Sequence, residues 1–193
     1  MKTRSEALAL LHEHTETDSL RKHALAVEAV MRHMAARRGA SADEIELWGM
    51  TGLLHDFDYE KHPTPEEHPT FGARILRAQG YPEDLVVAIL GHAEYTNVPR
   101  ATDLARFLFA CDELTGFVTA VALVRPNKSI HKVEAASVLK KLKDKAFARS
   151  VNRDDVKKGF VELGVDPAAH VTEVITALKG VAPEIGLAGL GAT

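Results

Sequence analysis

Apolar residues along this chain recur every three or four positions rather than every second one. Leu20, Ala24, Val27, Val30, Met31 and Met34 form one such series, which predicts a helix face running to about Arg38 with Gly39 beyond its end. Ser41-Ala-Asp-Glu44 then has the pattern of a capping box, in which the serine side chain accepts from an early helical N–H and Glu44 reaches back. The helix it opens carries Ile45, Leu47, Trp48, Met50, Leu53 and Leu54 toward the adjacent pair His55-Asp56. After the turn-rich stretch "HPTPEEHPT", Pro69 starts "TFGARILRAQ", Gly80 ends it, and Pro82 starts "EDLVVAILGHA". Proline suits these places because the first helical residue has no partner for its N–H.

A long apolar helix is predicted from about Thr102, and Pro126 interrupts the chain after it. Turn signals at Gly164, Pro167, Gly180 and Pro183 divide the remainder into four shorter helices. No alternating run flanked by Asn-Gly or Asp-Gly suggests a hairpin. The expected fold class is all-α. A single domain spans residues 1–193, with a core at about 18–125 and a C-terminal helical extension at about 126–187. The stretch "AAHVTEVITALKGVAPEIGLAGL" is apolar enough to pack on the core or to pair with a second chain, so the oligomeric state stays open. Beyond about Leu187 the chain is expected to be disordered.

Composition narrows the class. Apolar residues make up 46% and charged residues 26%, as in ordinary globular proteins. The net charge of −3 gives no global reason to expect a membrane or duplex nucleic acid as partner. Cys111 is the sole cysteine, so no intramolecular disulfide can form and a reducing compartment is expected. The start, "MKTRSEALALLHEHTE", lacks the apolar run of a signal peptide. No stretch approaches 18 apolar residues, and a cytoplasmic location is expected. Charge is unevenly spread: residues 121–160 hold eleven Lys or Arg against four Asp or Glu, densest in "KKLKDKAFARSVNR". Such a run is either a solvated helix face or a surface that recruits an anionic ligand to the mouth of a site.

Polar residues break the apolar faces at particular places. His23 interrupts "LRKHALAVEAVM", His92 ends "VVAILGH", and Asp112 lies within "RFLFACDELTGF". One histidine on such a face is usually a hydrogen-bonded core residue, and one buried carboxylate without a partner costs several kcal/mol. A shared cation would satisfy the whole set.

The ordered series His23, His55-Asp56, His68, His92 and Asp112 resembles the HD-domain superfamily of metal-dependent phosphohydrolases, HDIG type, named for the adjacent His-Asp pair. The flanking text agrees: "LLHDFDYE" after an apolar helix, "HPTFGARIL" after a turn, "ILGHAEY" at a helix end, "ACDELTGF" in a late helix. The segment "SVLKKLKDKAFARSVNR" resembles an extension found in a bacterial branch of HD proteins to which no substrate is assigned. The resemblance implies an HD-domain helical bundle with His23, His55, Asp56 and Asp112 as metal ligands. It implies that His68 and His92 either bind phosphate oxygens or complete a second metal position bridged by Asp56, and that Asp56, His68 and His92 are the catalytic residues. Imidazoles and carboxylates suit one or two divalent ions per chain, Mn²⁺, Fe²⁺, Mg²⁺ or Zn²⁺. Cys111 points away from its neighbour Asp112, about 100° around the helix, and is expected to be a packed small hydrophobe.

The implied activity is hydrolysis of a small phosphoester, a nucleotide among the candidates, by a metal-activated water. A di-iron oxygenase of the same fold and a non-catalytic module for anionic ligands are the alternatives. The sequence also departs from the commoner pattern. Phe57-Asp58-Tyr59 stands where many relatives continue with Ile-Gly-Lys, so the family lysine is missing. Lys61, Lys128 and the basic cluster are the candidates to replace it, and Lys128 is the expected substrate-binding residue. Asp58 either orients a ligand histidine through its second ring nitrogen or is a surface acid after a helix end.

Overall fold

A computed structural model describes residues 2–190. Among them are nine α-helices: α1 Arg4–His14, α2 Asp18–Arg37, α3 Ala42–Leu54, α4 Thr70–Ala78, α5 Glu83–His92, α6 Asp103–Leu123, α7 Ala135–Leu142, α8 Arg153–Leu163 and α9 Pro167–Gly180. The caps follow the sequence. The Ser41 side chain accepts from the Glu44 N–H at 3.3 Å, and Glu44 accepts from the Ser41 N–H at 2.8 Å. Thr102 caps α6 through the Ala105 N–H at 3.2 Å. Gly39 takes the left-handed conformation that ends α2, with φ of 76°.

The two longest helices, α2 and α6, form the centre of the bundle. α2 packs against α3, α6 and α9, while α6 packs against α5 and α8 as well. Val27, Val30 and Met31 of α2 and Leu108, Leu114, Phe117 and Val118 of α6 are fully buried. Each such side chain contributes about 1.5–3 kcal/mol when removed from water. α6 is apolar on nearly all sides because helices surround it.

Two glycines set the closest approaches. A Cβ at Gly52 would lie 2.8 Å from the Val27 carbonyl oxygen, so α3 presses onto α2 one turn from His23. A Cβ at Gly159 would lie 2.7 Å from Ala110 Cα, which seats α8 directly on α6 beside Asp112. The C-terminal helices therefore pack on the same core as the rest of the chain. Val171, Val174, Ile175 and Leu178 of α9 are buried there, the packing alternative of the sequence expectation.

Two expectations need correction. Beyond Pro126 the described residues form three α-helices and one 3-10 turn at Ile130–Lys132, not four helices. The chain is also ordered past Leu187: Leu187 is buried, Ala188 forms an antiparallel bridge with Ser129, and the Leu190 N–H donates to the Asn127 carbonyl at 2.9 Å. These are one feature. The tail pairs with residues 127–130, the Ile130 N–H donating to Leu187 O at 2.9 Å, and that pairing holds the short segment out of a longer helix. Residues 191–193 lie outside the described part.

Candidate metal centre

His55 follows α3 and keeps its helical turn, so its Nδ1 lies 2.8 Å from the Gly52 carbonyl three residues back. His92, the last residue of α5, repeats this arrangement with the Ile89 carbonyl. A carbonyl can only accept, so Nδ1 carries the hydrogen in both rings and Nε2 of the neutral ring is a lone pair. His68 Nδ1 lies 2.8 Å from Asp58 Oδ1, and Asp58 Oδ2 accepts from the Gly72 N–H at 2.7 Å. Asp58 is 1% exposed and therefore belongs to the interior, which decides between its two sequence readings in favour of orienting His68. Metal-bound histidines characteristically donate their second ring nitrogen in this way.

The Nε2 atoms of His23, His55, His68 and His92 converge on two carboxylates. Asp112 Oδ1 is 3.0 Å from His23 Nε2 and 3.2 Å from His55 Nε2. Asp56 Oδ2 is 3.3 Å from His55 Nε2, while Asp56 Oδ1 is 3.3 Å from both His68 Nε2 and His92 Nε2. The side chains fall into two groups, His23, His55, Asp56 and Asp112 in one and Asp56, His68 and His92 in the other. Within each group the ligand atoms lie within 4.8 Å of one another. Asp56 belongs to both and offers one oxygen to each. Adjacent residues can serve one site here because α3 ends at Leu54 and the chain turns between His55 and Asp56.

The residues fit a divalent ion. His55 Nε2 is fully buried and has no hydrogen-bond partner, although two carboxylates face it. Acceptors pointed at one another in a buried site require positive charge between them. The titration directions agree. Burial opposes the charge on His55, but Asp56 and Asp112 outweigh it and raise the pKa well above the imidazole range. Burial likewise opposes the His68 cation, and the bonds to Asp56 and Asp58 carry it up to about 9. Despite burial, Asp56 is held below the usual carboxylate range by His55, His68 and His92, and Asp112 by His55 and His23.

Above the cluster opens a cavity of about 600 Å³. His23, Asp56, His68, His92 and Asp112 line its base, and Tyr59, Tyr95, Phe109 and Glu113 stand in its wall. The extension supplies Ser150, Asn152 and Asp155. Burial, followed by the nearby Asp112 charge, raises the Glu113 carboxyl to about 7.

The structure brings together all six residues of the expected ligand set and leaves the expected basic residues elsewhere. Lys128 sits in the turn after α6 with φ of 49° and does not line the cavity. Lys61 donates to the Glu13 carbonyl at 2.8 Å, outside it. Arg153, at the end of the basic stretch, binds carbonyls of its own loop at Asp144, Phe147, Ala148 and Val151. Cys111 is fully buried, its thiol pKa pushed up by that burial, and its sulfur lies 3.8 Å from His170 Nε2. Of the wall residues, Tyr59 was noted only as standing where the family lysine is missing, and Tyr95, Glu113, Asn152 and Asp155 were not singled out from the sequence. The one local signal was Asn152, a side chain suited to capping α8, which it does through the Asp154 and Asp155 N–H groups.

Comparison with curated proteins and with solved structures finds no match. A family model described as HD domain matches residues 20–116. That span is half of the chain, begins just before His23 and ends just after Asp112, so the family pattern and the convergent side chains coincide. The chain belongs to the HD-domain family.

Proposed function

We propose that this chain is a metal-dependent phosphohydrolase that cleaves a small phosphoester. The observation that carries the reading is the convergence of four imidazole nitrogens and two carboxylates at the base of a cavity, with Asp56 shared between the two groups. His23, His55, Asp56 and Asp112 would hold one divalent ion, and Asp56, His68 and His92 a second. An ion held there supplies Lewis acidity and draws the pKa of a coordinated water from about 15.7 toward neutrality. The chain supplies the geometry. The Gly52 and Ile89 carbonyls and Asp58 fix three rings in the tautomer that presents Nε2 to the cluster. The Phe109 ring, covered by the Arg100 guanidinium at 3.7 Å, makes one wall rigid and apolar. A shared carboxylate suits a dinuclear centre, and the same ligands would serve a di-iron centre that oxidises its substrate with O₂.

The test is elemental metal content per chain, on protein purified without chelator, followed by phosphate release from a phosphoester panel with Mn²⁺, Fe²⁺ or Mg²⁺. One or two equivalents of divalent metal with metal-dependent phosphate release are expected. Both are lost in Asp56→Ala and kept in His12→Ala, an exposed residue of α1 outside the cluster. Two irons with O₂ consumption and no phosphate release would assign the oxygenase. No uptake after reconstitution would leave a non-catalytic module.

A further inference from the structure

The cavity wall carries the wrong sign of charge for a simple phosphate pocket. No Lys or Arg is among the residues that line it, whereas Glu94, Glu113 and Asp155 are. Glu94 is neutralised from behind, accepting from Lys158 Nζ at 2.5 Å and from Arg100 Nη2 at 2.8 Å. The other two are held differently. Asn152 donates its backbone N–H to Glu113 Oε2 at 3.1 Å and its side-chain Nδ2–H to Asp155 Oδ2 at 2.6 Å. One oxygen of each carboxylate stays uncommitted among the described residues. At the rim, Tyr59 and Tyr95 are 42% and 48% exposed and offer aromatic faces of the kind that attract cations.

We propose that Glu113 and Asp155, bracketed by Asn152, form a subsite for a protonated amine, so that the substrate is a phosphoester whose far end bears an ammonium group. This rests on the phosphohydrolase reading. With divalent ions at the base the cavity becomes dipolar, positive below and negative on the wall, and a zwitterionic phosphorylated amine matches both ends. A neutral tail would desolvate two carboxylates without pairing them, a penalty that discriminates against such substrates. Glu113 comes from α6 in the family core, while Asn152 and Asp155 come from the extension. The preference therefore belongs to the chain as a whole and not to the family match.

The experiment uses the metal-loaded full chain with two probes of similar length, 2-aminoethyl phosphate and propyl phosphate. Binding isotherms are recorded alongside phosphate release. The amine is expected to be preferred about ten- to hundredfold, the range of a hydrogen bond between charged groups. The preference should appear mainly in Kd and KM, and Asp155→Asn and Glu113→Gln should each reduce the ratio toward one. Both substitutions keep the side-chain shape and an oxygen to accept from Asn152, and metal content confirms an intact base. Equal or better binding of propyl phosphate overturns the amine subsite alone, as does an undiminished preference in both variants. If neither probe binds the metal-loaded chain, the phosphohydrolase reading falls and the subsite with it.

Discussion

Asp58 divides its two oxygens between the His68 ring and the Gly72 N–H, and it does not line the cavity. Its place is tight, since a Cβ at Gly72 would lie 2.8 Å from its carboxylate. Asp58→Ala frees the His68 ring to rotate while leaving His23, His55 and Asp112 untouched. A metal titration of that variant is expected to keep one tight equivalent and to weaken the second about 10–100-fold. Two equally tight equivalents would show that Asp58 is structural only. Five of the six candidate ligand residues were legible because they break an apolar face or stand at a helix end, and His68, which precedes α4, because the order of the set resembles a known family. The choice between the two readings of Asp58 was not legible, because it depends on where α4 docks, ten to fourteen residues further on.

At the scale of elements, the starts of α3, α4, α5 and α6 could be read from Ser41, Pro69, Pro82 and Thr102, because the chemistry of a helix start is local. The pairing of residues 127–130 with 187–190 could not, because the partners are about 59 positions apart and neither segment has a strand pattern. The contact of α8 with α6 was hidden for the same reason, and Gly159 makes it possible. Alanine in a helix interior normally gains about 1 kcal/mol over glycine. Here the new methyl meets Ala110 Cα, backbone that cannot swing aside, and overpacking costs about 1–3 kcal/mol. Gly159→Ala is expected to lower the urea midpoint, with a net loss of about 1 kcal/mol in equilibrium unfolding. A raised midpoint would mean that α8 can slide on α6.

For the whole molecule, the extension is part of the cavity wall and of the packing around α2 and α6. The cluster at their centre brings two carboxylates within 3.3 Å of the buried His55 Nε2, a set of acceptors that a divalent ion would pair. An ion that binds only the folded chain adds RT ln(1 + [M]/Kd), about 2.7 kcal/mol at a hundredfold excess over Kd. Thermal unfolding with and without Mn²⁺ should show a concentration-dependent rise in Tm that Asp56→Ala abolishes. A Tm indifferent to every divalent ion tried would contradict metal binding at this cluster. The same arrangement has a kinetic side. His55 and His92 each stand at the carboxyl end of a helix, next to the carbonyls that hold them. Two helix dipoles, each equivalent to roughly half a negative charge at that end, therefore meet beside two ionised aspartates. Under the phosphohydrolase reading, an oxyanion arriving first would lack the divalent charge that offsets these groups, and ordered binding is expected. On that reading the cation enters before the phosphoester, and chain stripped of metal is expected to bind a phosphoester weakly instead of holding it idle.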